Sequence, residues 1–226
     1  LMGLELQAVG DFTFERLNII NNTCSVSYGG GTGIWITSPT TNISHLTFHE
    51  CLFANCTSYN PTVMLNFQGS GGGLQFGGYF QSKTIQFLFT NCHFIGNTAS
   101  NFGGGLCVAT NQPCLIEDCN FTRNHARKGG AIFISDKRVF ALTDEICPNL
   151  TITECRFDSN TADEGSAFHI EGRNPTEGVI FITGNCVFTS SNQNINGQIS
   201  SLIWSCIKTV EIYDIEFTFN SLDTSE

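Results

Sequence analysis

Cys119-Asn120-Phe121-Thr122-Arg123-Asn124, followed by Gly129-Gly130-Ala131-Ile132, is a segment that the chain writes again and again. The pattern is Cys-x-Phe-x-x-Asn and then a Gly-led run of small and aliphatic residues. It returns as Cys92-His93-Phe94-Ile95-Gly96-Asn97 with Gly104-Gly105-Leu106, and as Cys155-Arg156-Phe157-Asp158-Ser159-Asn160 with Gly165-Ser166-Ala167-Phe168. Weaker copies fall into line on the same register. Cys51-Leu52-Phe53 ends in Cys56, Cys186-Val187-Phe188 ends in Ser191, Ile215-Glu216-Phe217 ends in Asn220, and a relic at Leu17 to Asn22 precedes Gly29-Gly30-Gly31. The copies begin at 17, 51, 92, 119, 155, 186 and 215, in steps of 34, 41, 27, 36, 31 and 29 residues. A period of this size marks a solenoid.

Between the anchors lie short apolar runs that alternate with polar residues, and no 3.6-residue period, so the units are strands. One strand precedes each anchor, such as Leu46-Thr47-Phe48 or Leu150-Thr151-Ile152, and a Gly-led strand follows it, such as Leu74-Gln75-Phe76 or Ile132-Phe133-Ile134. Three strands per repeat with variable loops are what one turn of a parallel β-helix needs. Seven turns at ~4.8 Å make a rod of roughly 34 Å. Equivalent residues of successive turns then lie over one another. Phe94, Phe121, Phe157 and Phe217, with Phe53 and Phe188, are expected to form an internal stack. Asn97, Asn124, Asn160 and Asn220 are expected to form an amide ladder at a corner and to accommodate an unusual backbone there. Glycine pairs let the opposite corner turn tightly.

At 226 residues, with 41% hydrophobic and 13% charged side chains, the composition fits one elongated domain over residues 1–226. The repeat is still running at Asn220 and neither end shows a cap, so the sequence reads as a segment of a longer polypeptide. A net charge of −10 argues against nucleic acid and against anionic membrane surfaces as partners, and no apolar run reaches membrane-spanning length. Five of the eleven cysteines, Cys51, Cys92, Cys119, Cys155 and Cys186, share the inward face with Phe and read as buried thiols. The other six, at positions 24, 56, 107, 114, 147 and 206, are expected at corners, loops or outward positions. In an oxidising setting some would pair, and Cys24 with Cys56, or Cys114 with Cys147, are the candidates by register. No Cys-x-x-Cys pair occurs, and we read no metal site and no cofactor. Among five Asn-x-Ser/Thr sequons, at Asn21, Asn42, Asn55, Asn120 and Asn149, the loop-to-strand entries Asn42 and Asn149 and the outward Asn120 are the candidate glycan acceptors.

The Phe-x-x-Asn and Gly-Gly-Ala-Ile tetrapeptides resemble the repeats of the chlamydial polymorphic outer membrane proteins, and of similar right-handed β-helix surface proteins in other bacteria and in protists. The resemblance runs over residues 17–220. It rests on Phe94 with Asn97, Phe121 with Asn124, Phe157 with Asn160, Phe217 with Asn220, and Gly129-Gly130-Ala131-Ile132. It implies a right-handed, single-stranded parallel β-helix of pectin-lyase-like architecture, on the cell surface or outside the cell, and a role in adhesion. The repeated Phe and Asn themselves read as core and corner residues rather than receptor contacts.

Pectate lyases and polygalacturonases use the same architecture, so a carbohydrate-active enzyme is the alternative. Such chemistry needs carboxylates grouped on one strand face. Here the adjacent acids Glu117-Asp118, Asp144-Glu145 and Asp163-Glu164 are scattered, and His45 and His49, which share a strand face with Thr47 but with no carboxylate or nucleophile, read as ordinary surface residues. Strand parity instead turns Trp35, Gln75, Cys107, Phe133 and His169 outward in successive Gly-led strands, which makes Trp35, Gln75, Phe133 and His169 the candidate binding column. Three readings of that column stand open: it stacks on a glycan or cell receptor, it meets another domain of the chain or a neighbouring surface or filament protein, or loops of the same chain cover it. The expectation from sequence is a non-catalytic module for adhesion or structural assembly.

Overall fold

The computed structural model describes residues 4–5, 11–25, 33–36, 45–60, 69–78, 86–109, 112–135, 149–171, 178–189, 202–204 and 207–218. They form a parallel β-helix. The strands before the anchors (Phe12–Glu15, His45–His49, Gln86–Thr90, Cys114–Glu117, Leu150–Thr153, Gly178–Thr183, Ile207–Ile212) make one seven-stranded entry sheet. The Phe-bearing strands (Asn18–Ile20, Leu52–Ala54, His93–Ile95, Asn120–Thr122, Arg156–Asp158, Cys186–Thr189, Ile215–Thr218) make a second, the anchor sheet, also of seven. The Gly-led strands, from Leu4–Glu5 through Leu74–Gly78, Leu106–Ala109, Ile132–Ser135 and Phe168–Glu171 to Leu202–Trp204, make a third. Neighbouring strands pair in parallel, one turn of the coil apart.

Five of the turns have four described strands, where three were expected from sequence. The extra one follows the ladder Asn: Thr23–Ser25, Thr57–Tyr59, Thr98–Ala99, His125–Lys128 and Thr161–Glu164 form a five-stranded corner sheet. Two to four residues are too few to show alternation, so this sheet is silent in the sequence. Its inward residues are small: Ser58, Ala99, Ala126 and Ala162 are all buried. The glycines explain why. A Cβ on Gly104 would lie 2.5 Å from the His125 carbonyl oxygen, and one on Gly130 would lie 2.5 Å from the Thr161 carbonyl oxygen. The Gly-led turn therefore packs backbone to backbone against the corner strand of the next turn, a contact closed to any side chain.

The core contains the predicted stack. Ring centroids run 4.9 Å from Phe53 to Phe94, 4.7 Å to Phe121, 5.2 Å to Phe157, 4.9 Å to Phe188 and 5.0 Å to Phe217, with planes nearly parallel. Each ring that is fully buried removes enough apolar surface to stabilise the rod by about 1.5–3 kcal/mol. Phe217 departs from the expectation: it is in line but 40% exposed. A second column, Phe14 to Phe48 to Phe89, rises at 5.0 Å spacing in the entry sheet.

Asn97, Asn124 and Asn160 form the predicted ladder, wholly buried. The backbone N–H and Nδ2 of Asn97 both donate to Asn124 Oδ1, at 3.1 and 2.9 Å, and Nδ2 also donates to the Phe53 carbonyl at 2.9 Å. Asn124 repeats this toward Asn160 Oδ1 and the Phe94 carbonyl. The unusual backbone is not at the ladder asparagines, as expected, but one residue earlier. Asn21, Asn55, Gly96, Arg123 and Ser159 have φ between 53° and 63°. For the four that carry side chains, the left-handed conformation costs about 1–2 kcal/mol each, and the ladder bonds offset it. Asn220 lies outside the described residues.

Cys56 stands where the second turn would carry Asn, and it fills the role with sulfur. Its N–H donates to Asn97 Oδ1 at 3.0 Å, and its thiol donates to the Ile19 carbonyl at 3.5 Å, the group that a ladder amide would reach. The sequence had placed Cys56 outside the core; it is fully buried, as are Cys107 and Cys114.

Candidate functional site

The Gly-led sheet puts the candidate column on its outer side, because Leu106, Val108, Ile132, Ile134, Phe168 and Ile170 fill the inner one. Gln75 lies beside Cys107, Cys107 beside Phe133, and Phe133 beside His169, as strand parity predicts. Trp35 is not in this row. Gly33 takes the place beside Gln75, and Trp35 pairs with Gly77, two residues further along the strand. The position of the Trp35 side chain lies outside what is described.

The column is not exposed, which corrects the expectation for its other members. Gln75 is 5% accessible, Phe133 0% and His169 3%. Of the three readings left open by the sequence, the geometry matches coverage. The Phe102 ring lies on Phe133 at 4.5 Å, the His169 imidazole lies on its other side at 5.6 Å, and the Arg127 guanidinium sits 5.4 Å above Phe102. Cation, ring, ring and imidazole form one pile whose electrostatics are mutually favourable. Glu164 borders it, with its Oε2 3.1 Å from Lys128 Nζ and 3.8 Å from His169 Nδ1. Gln75 Oε1 is buried with no hydrogen-bond partner among the described residues.

Outside this column several charged and polar groups join one turn to the next. Arg16 Nε meets Glu50 Oε2 at 2.7 Å, and this pair raises the Arg16 pKa and lowers that of Glu50. Asp11 accepts from the His45 backbone at 2.8 Å and lies 3.2 Å from its Nδ1. His49 reaches Thr90 Oγ1 at 2.8 Å, His125 reaches Thr161 Oγ1 at 2.8 Å, and Thr189 bonds Asp158. His45 and His49, read from sequence as surface residues without a carboxylate, do have acidic neighbours, supplied by Asp11 and Glu50. Glu117-Asp118 and Asp163-Glu164 lie on different sheets, and Asp144-Glu145 lies outside the described residues. No three His, Cys, Asp or Glu among the described residues form a group that could hold a metal.

Among the described residues, the large apolar side chains that reach solvent are, apart from Phe217, ones the sequence did not single out: Tyr59 at 52%, Phe181 at 37%, and Ile20, Ile212 and Tyr213. Phe181 was legible by parity, since Ile180 and Ile182 on either side of it are buried. Of the sequons, Asn149 is exposed and its Oδ1 accepts from the Val179 N–H at 3.2 Å. Asn120 faces outward, half-buried, with its amide 3.2 Å from His93 Nδ1. Asn42 lies outside the described residues. Asn21 and Asn55 are exposed at the left-handed corner.

The anchor cysteines are buried free thiols, as expected. They form a second ladder that works like the amide one. Each follows a left-handed residue (Glu50, Asn91, Asp118, Glu154, Asn185). Each sulfur lies near a carbonyl of the preceding turn: Cys51 at Phe14, Cys92 at Phe48, Cys119 at Phe89, Cys155 at Ile116 and Cys186 at Ile152. Burial holds the Cys119 thiol well above its ordinary pKa and pushes Cys114 up to about 12. The expected Cys24–Cys56 bond is absent, because Cys24 pairs in register with Ser58 and both cysteines are free. Cys114 is a free core thiol flanked by Phe87 and Leu150, and Cys147 and Cys206 lie outside the described residues.

Parallel sheets wound as one coil, with internal aromatic, amide and thiol ladders, define a solenoid of the parallel β-helix class. A family model described as "Right handed beta helix region" matches residues 3–205, and the chain belongs to that family. No curated protein and no solved structure matches it.

Proposed function

We propose that this β-helix is a non-catalytic extracellular or cell-surface module for adhesion or structural assembly, akin in role to the polymorphic outer membrane protein repeats it resembles. The observation that carries the reading is the closed outer column. In enzymes of this architecture the corresponding side of the rod is where polysaccharide lies, an analogy of fold. Here Gln75, Cys107, Phe133 and His169 are buried, with Phe102 stacked on Phe133 and Arg127 over Phe102. The described ion pairs Arg16–Glu50, Asp11–His45 and Lys128–Glu164 link one turn to the next. These contacts suit a rod that keeps its shape. The apolar side chains offered to a partner are Tyr59 on the corner sheet and Phe181 on the entry sheet, with other domains of the chain, neighbouring surface or filament proteins, or a glycan or cell receptor as the partner classes.

The test is binding of the chain to a glycan panel and to candidate host or sister cells, beside Tyr59→Ser and Phe181→Ser variants, with a polysaccharide viscosity assay in parallel. Saturable binding weakened at least tenfold by either substitution supports adhesion. Self-association without ligand binding supports assembly. A time-dependent fall in polysaccharide viscosity overturns the non-catalytic reading in favour of a carbohydrate-active enzyme.

A further inference from the structure

Arg123-Asn124-His125-Ala126-Arg127-Lys128 is the longest basic run in a chain of net charge −10. The corner of the fourth turn sorts it by side: Asn124 and Ala126 are buried, while Arg123, His125 and Arg127 are exposed. Alternate residues of a strand lie roughly 7 Å apart on one face, so the three make a row across the turn. Among the described residues Arg16 is held by Glu50 and Lys128 by Glu164, whereas Arg123, Arg127 and Arg156 have no ion-pair partner. All three of these arginines are exposed, and Arg156 stands one turn on, beside Asn120. The residues next to the row along the rod are uncharged at the corner, Gly96 and Ser159, and beside His125, Thr98 and Thr161. Of the acids in the following turn, Asp158 accepts from Ser159 Oγ at 3.4 Å and bonds Thr189, and Glu164 takes Lys128. Asp163 is exposed and makes no described ion pair.

We propose that Arg123, His125 and Arg127, flanked by Arg156, form a binding row for a sulfated polysaccharide. The inference rests on the extracellular reading and names a ligand class for it, at a surface separate from Tyr59 and Phe181. An unpaired guanidinium presents a planar fork of donors that matches the oxygens of a sulfate group. Two members of the row are held in place before any ligand arrives, which lowers the ordering cost of binding. The Arg127 guanidinium lies 5.4 Å from the centroid of Phe102, whose ring is stacked on Phe133 at 4.5 Å. The His125 ring is fixed by its Nδ1 at 2.8 Å from Thr161 Oγ1, which leaves Nε2 without a bond among the described residues. The row is local in an acidic molecule, so it suits a polymer whose charges are spaced by sugar rings. A nucleic acid packs one charge into every ~1.7 Å of duplex and meets far more repulsion from the rest of the rod. It would also want aromatic faces for its bases, and Phe102 is already engaged by Arg127 and Phe133.

The experiment is titration of the full chain with heparin, dextran sulfate, unsulfated dextran and single-stranded DNA at low salt, with the heparin arm repeated at high salt. Heparin and dextran sulfate are expected to bind, more weakly as salt rises, and dextran and DNA to bind at least about tenfold more weakly than heparin. An Arg123→Asn, Arg127→Gln double variant is expected to lose about tenfold in heparin affinity; Asn is chosen at 123 because it tolerates the left-handed backbone there. Arg123→Lys with Arg127→Lys, which keeps the charge and loses the forks, is expected to stay within about threefold of wild type. Asp163→Asn removes the opposing acid without touching the row and is expected to tighten binding about twofold. No heparin binding by the wild-type chain, DNA binding as tight as heparin, or heparin affinity unchanged in the Asn/Gln variant or lowered by Asp163→Asn overturns the proposal. These arms test the row alone. If heparin binds through the row but the chain binds cells equally well with and without their sulfated glycans, the ligand chemistry stands and adhesion as its use fails.

Discussion

At the residue scale, two side-chain types solve one problem. Every corner of the anchor strand begins with a left-handed residue, and the N–H that follows needs an acceptor inside the rod. Asn supplies it at one end and Cys at the other, and Cys56 shows that sulfur can serve at the Asn position too. Asn124→Ala would strand the Asn97 N–H and the Phe94 carbonyl in the core, a loss of about 2–5 kcal/mol in urea unfolding. Asn124→Cys is expected to lose about half as much, because the thiol reaches the same carbonyl. A second residue-scale prediction concerns alkaline pH. The folded state holds the Cys114 proton more tightly than the unfolded chain does. Its contribution is fully present below the ordinary thiol value of 9.0 and is lost as pH rises from there toward about 12. The urea midpoint should fall over that window, with a slope of up to about 1.4 kcal/mol per pH unit from this group, and Cys114→Val should flatten the fall. The inward Cys and Phe were legible because positions i and i+2 of a strand share a face. The left-handed residues were not, since Arg123, Ser159 and Glu154 have nothing in common but their place.

At the scale of the element, the Gly-led turn and the corner strand determine each other. Gly104 and Gly130 face the backbone of the next turn's corner strand, whereas Ser166, the equivalent residue one turn later, carries a buried side chain. Among the described residues the corner sheet ends at Thr161–Glu164, so no described corner strand overlies Ser166. Gly130→Ser is therefore expected to cost more than about 2 kcal/mol, because both nearest atoms to its Cβ are backbone oxygens. Ser166→Gly should cost under about 1 kcal/mol. Equal costs in chemical denaturation would sink this account of the glycines. The glycine positions were plain in the sequence, but their reason was not. It required the corner strand, whose two to four residues show no period, and Thr98–Ala99 could not have been told from a loop.

At the scale of the whole molecule, stability is expected to be graded along the rod. Turns carrying the complete amide ladder, the Phe stack and neighbours on both sides lie in the middle. Hydrogen exchange should be slowest in His93–Ile95, Asn120–Thr122 and Arg156–Asp158, and fastest in Phe12–Glu15 and Ile207–Ile212. Uniform protection along the chain would contradict a solenoid built from nearest-neighbour contacts. The sequence by itself determined the coil, its seven turns, the Phe and Asn ladders and the inward cysteines. All of these follow from a repeat whose register is countable and whose spacing places like residues over like. The state of the outer column was decided only in three dimensions. Parity states which side of the sheet Phe133 and His169 occupy, but their burial depends on Phe102, Arg127 and Glu164, which arrive from other strands and loops. Trp35 fell out of the row for a related reason: a two-residue offset between strands keeps the same face and is invisible to alternation, so only the pairing of Gly33 with Gln75 revealed it.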